Sequence, residues 1–293
     1  MRIDQLRAKR GSKGLNRQEK KVVVSVLMPA YNEEGCLEAC FYKVVEALEG
    51  YGKAFEVILE EDGSTDKTPE VMDRLAERHA YVRVLHFPAR MGKGFGIRRC
   101  LEMAQGECIV LFDSDMEYPP EKIPEFVEKT NVYDIVVGCR SVWIDQKGGF
   151  TRLIRMFLSH LFGFLVGRLF AIDLQDYQSG LKAFKREVID AIQPLRSNGF
   201  EIDSEILIKA KREGFEIGFI PVRYTFKGKS SVNLITDPIK MFLSLLEWRL
   251  RFAVGTLSSG FSLPTRSRAA TVLLRSERGL LQREVEPGRE AQS

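Results

Sequence analysis

The chain has 293 residues, 44% of them apolar, with 44 Lys or Arg against 40 Asp or Glu for a net charge of +4. That length buries a full core in one large domain with appendages, shows no repeat architecture, and is too evenly charged to single out nucleic acid as a partner. The five cysteines, at 36, 40, 100, 108 and 139, are odd in number and form no C-x-x-C, which argues against a disulfide framework or zinc site and points to a reducing compartment.

Residues 1–21 hold eight Lys or Arg beside Asp4 and Glu19 and read as a solvated basic arm. The apolar run in "KVVVSVLMPAYNEE" is short and enters polar turn residues, unlike a signal peptide. Mostly apolar β-rich runs, the look of strands buried on both faces, then predict strands at 22–28, 55–61, 82–87, 108–113 and 134–139. Between them, helices are predicted over 35–48, 68–77, 92–104 and 120–129, the second with Pro69 in its first turn. This alternation means right-handed crossovers and an α/β fold with a largely parallel sheet. Ligands of such sheets bind beyond the carboxyl ends of the strands, where this chain places "PAYNEE", "EDGSTD", "RMGKG", "DSDME" and "CR".

After residue 150 the pattern changes. The stretch 150–173 is strongly apolar but carries Arg152, Arg155, His160 and Arg168. Each arginine would cost roughly 2.5–3.5 kcal/mol at a bilayer centre, so an interfacial or groove-packed helix is expected instead of a span. A second such helix is expected over 237–255, with Met241, Leu245, Trp248 and Phe252 on one apolar face. The tail 256–293 is rich in Ser, Arg and Glu and is expected to be disordered.

In "LFDSDMEYPP" (111–120), the acids Asp113, Asp115 and Glu117 fall at every second position. Continued as a strand, that spacing would turn all three to one side. Two readings stand at this point: a site for a hard divalent cation with oxygen ligands, or an acidic turn before Pro119. "PAYNEEG" (29–35) and "DGSTDKT" (62–68) are likewise plain strand-to-helix turns taken singly, the second with Gly63 supplying a positive φ.

Taken in order, "PAYNE", "EDGSTDKT", "RMGKG", "DSDMEYPP", "GCR", "DYQSGLKAF" and "GFEIDSE" resemble the GT-A glycosyltransferases of family 2 over residues 22–236, most closely the dolichol-phosphate mannose synthase group. The resemblance implies a Rossmann-like GT-A domain and an inverting transfer of a hexose. The donor would be a nucleotide-diphosphate sugar, GDP-mannose ahead of UDP-glucose, and the acceptor a polyprenyl or dolichyl phosphate. It also implies Mg²⁺ or Mn²⁺ as cofactor, no nucleic acid partner, and peripheral attachment to the cytoplasmic face of a membrane. Residue by residue, Pro29, Tyr31 and Glu33 would line the nucleoside pocket, Asp62 would bind the base, and Gly63 and Lys93 would complete the donor site. Asp113 and Asp115 would bracket ribose, sugar and metal, and Asp115 with Glu117 would ligate the cation. The sequence departs from the family's usual pattern at Glu61, where a second Asp is common, and at Glu117, where Gln is more frequent. Arg140, Arg223 and Lys229 are the cations expected to meet the leaving diphosphate or the incoming lipid phosphate. Asp176, Gln178, Ser179 and Asp203 are candidate sugar or acceptor contacts. A phosphomonoester acceptor is already anionic and needs no base; Asp176 would serve as one if the acceptor were a hydroxyl of a glycan or glycolipid. A non-catalytic nucleotide-sugar-binding protein is the rival from a different class. A phosphohydrolase built on D-x-D is disfavoured, because its motif would follow the first strand, not the fourth.

Overall fold

The computed structural model describes residues 22–145, 150–172, 174–226 and 236–258. The basic arm, Lys229 and the tail from 259 lie outside the described residues. The chain separates into two units, Met1–Arg249 and Leu250–Ser293; the sheet and the site belong to the first, and the last helix runs from the first into the second.

In chain order the elements are β1 (Val24–Ala30), α1 (Leu37–Tyr51), β2 (Phe55–Asp62), α2 (Thr68–Arg78), β3 (Val82–Phe87), α3 (Lys93–Met103), β4 (Cys108–Phe112), α4 (Ile123–Lys129), β5 (Ile135–Asp145), α5 (Phe150–Phe170), β6 (Leu181–Lys185), α6 (Arg186–Ala191), α7 (Ile202–Arg212), β7 (Ile217–Phe226) and α8 (Thr236–Ser258). The five predicted strands and four predicted helices are all present. They build a seven-stranded sheet in the order β3-β2-β1-β4-β6-β5-β7. β1 runs parallel to β2 and β4, β2 to β3, and β5 to β7, while β6 is antiparallel to both neighbours. Neither β6 nor β7 was expected from the sequence. β6 places Leu181–Lys185 between the two strands that carry the acids and Arg140.

Alternation along the central strands divides the core in two. Val24, Val26 and Met28, with Val57, Leu59, Val110 and Phe112, face one side and pack with α1, α2 and α4. Leu27, Ile58, Ile109 and Leu111 face the other and pack with α3, α6 and α7. Helix α1 buries Leu37, Cys40, Phe41, Val44, Val45 and Leu48, the 3-and-4 spacing of a one-sided helix, and ends at Gly52 with φ 73°.

One side chain interrupts this apolar logic. Glu60, on the α3 side of β2, is 0% exposed and neither of its carboxyl oxygens has a hydrogen-bond partner among the described residues. It abuts Gly96 of α3, where a Cβ would collide with the carboxyl group. Burial, then the charges of Asp62 and Glu61, push its pKa up to about 9 from the usual 4.5.

No described helix is long and apolar enough to cross a membrane. In α8 the expected lipid-facing residues Met241, Leu245 and Trp248 are buried against the protein, while the Phe252 side chain lies outside the described residues. Ile239, Phe242, Leu243, Leu246 and Leu250 are exposed, on the other side of the same helix. The correction has a simple cause: α8 is apolar on two sides, and periodicity marks an apolar face without saying which one the sheet takes.

Because the folded state holds the Glu60 proton between about pH 4.5 and 9 and the unfolded state does not, stability should fall as pH rises through that window. Glu60→Gln is expected to raise stability by about 3 kcal/mol near neutral pH and to bring no gain near pH 4, read from urea melts across that range. A pH-independent effect would mean that the carboxyl is not held protonated.

Candidate active site

The loops after β1 and β2 close on each other through short polar side chains. Asn32 N–H donates to Ser64 Oγ at 3.0 Å, Thr65 N–H to Asn32 Oδ1 at 2.8 Å, and Glu33 N–H to Thr68 Oγ1 at 2.8 Å. Gly63, at φ 69°, adopts the left-handed turn expected of it and leaves no room for a Cβ against Ala89 and Arg90. Asp62 is turned toward the "RMGKG" loop. Its Oδ1 accepts from Met91 N–H at 2.5 Å and from Gly92 N–H at 3.0 Å, and Arg90 Nε lies 4.0 Å from its Oδ2. Burial raises the Asp62 pKa even so. The Arg90 guanidinium stands 4.2 Å from the centroid of the Tyr31 ring. Arg90 belongs to a motif the sequence displays, yet its place on Tyr31 depends on β3 pairing with β2 and could not be read from it.

The three acids do not share a strand face. β4 stops at Phe112, and Met116 takes φ 61°, so the run "DSDME" is a turn in which Asp115 Oδ1 accepts from Glu117 N–H at 2.9 Å. Asp113 meets Lys93, whose Nζ lies 2.8 Å from its Oδ1. Glu117 is buried and accepts from the hydroxyl of Tyr224 on β7. Asp115 has burial, then Asp113 and Glu117, raising its pKa well above the carboxylate range. Among the described residues, no three His, Cys, Asp or Glu side chains are gathered as a ready chelate. The acids nevertheless fit a hard divalent cation in donor type and in charge, because Asp115 is surrounded by like charges that such a cation would relieve.

Behind Asp113 lies a row of buried ion pairs. Lys93 Nζ is also 3.2 Å from Asp203 Oδ2, and Asp203 Oδ1 is 2.7 Å from Nζ of Lys182, which is fully buried on β6. Burial works against the charge of Lys93, but Asp113 and Asp203 outweigh it and hold its pKa above the usual lysine value. Burial lowers the pKa of Lys182 on balance, and the two lysines keep that of Asp203 low despite its own burial. Gly180 lets the start of β6 pass beside Asp113, since a Cβ there would strike the carboxylate. Ser179 is buried, its backbone oxygen accepting from Lys182.

Arg140, at a β-bulge in β5, forms a two-pronged pair with Asp176: Nε to Oδ2 at 2.6 Å and Nη2 to Oδ1 at 2.8 Å. Its guanidinium also stands 5.6 Å from the Tyr224 ring, so a continuous path of contacts runs from Asp176 to Glu117. Gln178 and Asp176 border a cavity of about 510 Å³, with Arg140, Arg168, Phe162, Phe164 and Ile172 among its lining residues. Arg223 is exposed on β7, beside Val142 of β5. Tyr224 and Lys182 were not singled out from the sequence. Lys182 stands in "QSGLK", whose pattern flagged the segment, whereas nothing local distinguishes Tyr224 from other strand tyrosines.

The family described as Glycosyl transferase family 2 matches residues 25–193. The chain belongs to that family. It is 36% identical over 236 residues to Glycosyltransferase AglD of Haloferax volcanii, covering 78% of this chain and 38% of that protein. It is 31% identical over 234 residues to Dolichol-phosphate mannosyltransferase of Pyrococcus furiosus, covering 77% of this chain and 64% of that one. With Undecaprenyl-phosphate 4-deoxy-4-formamido-L-arabinose transferase of Pseudomonas paraeruginosa, the identity is 31% over 190 residues, or 61% of this chain and 54% of the relative. The chain thus spans between 38% and 64% of the length of these relatives. Two solved structures share the fold. Glucosyl-3-phosphoglycerate synthase from Mycobacterium tuberculosis, in complex with Mn²⁺, UDP and phosphoglyceric acid, matches with a TM-score of 0.59 at 21% identity, covering 78% of each chain. Mannosyltransferase PcManGT from Pyrobaculum calidifontis, in complex with GDP-Man and Mn²⁺, matches with a TM-score of 0.52 at 20% identity, covering 89% of this chain and 81% of that one. The family 2 chain therefore has the GT-A α/β fold that its motifs implied.

Asp176 holds the buried guanidinium of Arg140 with both carboxyl oxygens, so Asp176→Ala should break a buried ion pair. A loss of about 3–5 kcal/mol in urea denaturation is expected. A loss within the range of a surface substitution would show that the pair contributes nothing to the fold.

Proposed function

We propose that this chain is an inverting glycosyltransferase that moves a hexose from a nucleoside-diphosphate sugar, GDP-mannose ahead of UDP-glucose, to a polyprenyl phosphate. The observation that carries the reading is the junction of two unlike surfaces. The acidic turn Asp113–Glu117 is linked through Tyr224 to Arg140, and Arg140 lines a cavity that combines cations with apolar α5 side chains. Acids beside a nucleotide-sugar site suit a metal diphosphate; a cavity with Arg140, Arg168 and phenylalanines suits an anionic head on an apolar chain. The relatives named for dolichol-phosphate and undecaprenyl-phosphate transfer, and the Mn²⁺ complexes of the same fold, support it.

In this reading Pro29, Tyr31, Glu33, Asp62 and Gly63 form the nucleoside end, with Asp62 holding the loop that carries Lys93. Asp115 and Glu117 would hold a divalent cation, Mg²⁺ or Mn²⁺, whose contribution is to neutralise the leaving diphosphate. Asp113 orients the donor, and Arg140, fixed by Asp176, faces the acceptor phosphate. Arg223 on the exposed side of β7 and Lys229 beyond the described residues are further cations for the diphosphate. Gln178, Ser179 and Asp203 support the sugar side, the latter two from buried positions. A phosphate oxygen attacks the anomeric carbon in line with the departing diphosphate and needs no proton removed. A hydroxyl acceptor would need a base, and Asp176 is already bound to Arg140 by both oxygens.

Membrane attachment belongs to the same proposal. Ile239, Phe242, Leu243 and Leu246 on α8, together with Leu161 and Phe164 on α5, are exposed apolar side chains suited to the headgroup layer.

Two experiments test this reading. Purified protein with lipid phosphate and labelled GDP-mannose, UDP-glucose or UDP-GlcNAc should transfer sugar to lipid from one donor, and proton NMR should show a β-linkage formed from the α-linked donor. An α-linked product would exclude single displacement. Flotation with anionic liposomes should be weakened by Phe242→Asp with Leu246→Asp, with transfer to a short water-soluble polyprenyl phosphate retained. Unchanged flotation would remove α8 from the membrane contact.

A further inference from the structure

The acid that opens the D-x-D run, Asp113, has a protein cation in contact. Lys93 Nζ lies 2.8 Å from Asp113 Oδ1 and 3.1 Å from Oδ2, so both oxygens are within reach of one ammonium group. The lysine is 13% exposed in its side chain and stands at the first position of α3, locked by the Gly94 and Phe95 N–H groups donating to Asn198 oxygen at 2.8 and 3.2 Å. Its second acid, Asp203, has its other oxygen taken by Lys182. The row Asp113, Lys93, Asp203, Lys182 alternates in sign and sums to zero, so the charge of Asp203 is matched from behind by Lys182 and that of Lys93 is left to balance Asp113. Buried charges are tolerated when each is paired in this way, and removing one member exposes its neighbour's charge to the site. The Asp113 backbone is fixed as well, its N–H donating to Gly180 oxygen at 3.1 Å.

We propose that Lys93 is the resident counter-ion of Asp113 in the free protein, so that a bare divalent cation is held by Asp115 with Glu117 and gains nothing from Asp113. This rests on the reading of the acidic turn as a cation site. Lys93 then has two consequences. It keeps the affinity for a bare metal ion low, because one of three acids is already neutralised and an ammonium group stands nearby. It also keeps Asp113 oriented until the donor arrives, so metal enters most favourably together with the nucleoside diphosphate, which adds the oxygen ligands the free protein withholds.

The test is titration of the free protein with MnCl₂ alone, with bound Mn²⁺ read by electron paramagnetic resonance. The double variant Asp113→Asn with Lys93→Met, which removes the pair without exposing either charge, should keep the wild-type Mn²⁺ affinity within about twofold. Lys93→Met should bind Mn²⁺ about tenfold more tightly, since it frees the Asp113 carboxylate and removes a positive charge, while Lys93→Arg should stay near wild type. Asp115→Asn should abolish binding. If Lys93→Met does not fold, as judged by circular dichroism, the double variant Asp113→Asn with Lys93→Met decides alone. A tenfold loss in the double variant, or no gain in a folded Lys93→Met, would overturn the counter-ion assignment and leave the cation site standing. Absence of Mn²⁺ binding in both the wild type and Lys93→Met would overturn the cation site and this inference with it.

Discussion

The bridge of the Lys93 ammonium between Asp113 and Asp203 is the contact on which the arrangement of this site depends. It joins the end of β4, the first turn of α3 and the first turn of α7, three elements far apart in sequence. Lys182 extends the bridge to β6, the strand that separates β4 from β5. Four charges of alternating sign, two of them fully enclosed, can be held together at moderate cost because each faces an opposite one at hydrogen-bond distance. The reward is in geometry more than in stability: a salt-bridged carboxylate at the edge of a cleft has one orientation, whereas a solvated one has many.

A second set of contacts does the same for the loops after β1, β2 and β3 with neutral donors. Asp62 accepts from the Met91 and Gly92 backbone, and the Asn32, Ser64, Thr65 and Thr68 hydrogen bonds tie the loops after β1 and β2. Motif residues that look like ligand contacts in a sequence are here the fasteners of the loops themselves. Lys93 follows Gly92 directly, so the hold of Asp62 on that glycine also helps set where the ammonium stands.

The third part of the site is built across the sheet. Arg140 on β5, Tyr224 on β7 and Glu117 after β4 are in contact because β5 and β7 are parallel neighbours and the loop after β4 reaches them, Thr225 N–H donating to Glu117 oxygen at 2.9 Å. Asp176, from the segment leading into β6, completes the pair with Arg140. The acidic half and the basic half of the site are thereby connected by a tyrosine that is buried and T-stacked on Tyr118 at 5.2 Å between centroids.

By itself the sequence determined the five strands and four helices of the first half, because runs such as "VVVSVLM" and "CIVLFD" are apolar at nearly every position and the intervening stretches repeat at helical spacing. It also determined the family, through seven ordered motifs, and the set of polar loops that meet at one sheet edge. Tertiary structure decided the rest. The insertion of β6 against the direction of its neighbours is a choice among partners that "LKAFK" does not encode locally, and the burial of Lys182 follows from Asp203 being there to receive it. The acids Asp113, Asp115 and Glu117 suggested one strand face by their spacing, but the strand ends at Phe112 and a left-handed Met116 sends them to three different environments. On α8 two apolar faces competed for the core, and the packing that buried Met241, Leu245 and Trp248 left Phe242 and Leu246 outside. Periodicity and spacing report which residues can act together along one element, while strand ends, strand order and ion pairing depend on residues tens to a hundred positions away.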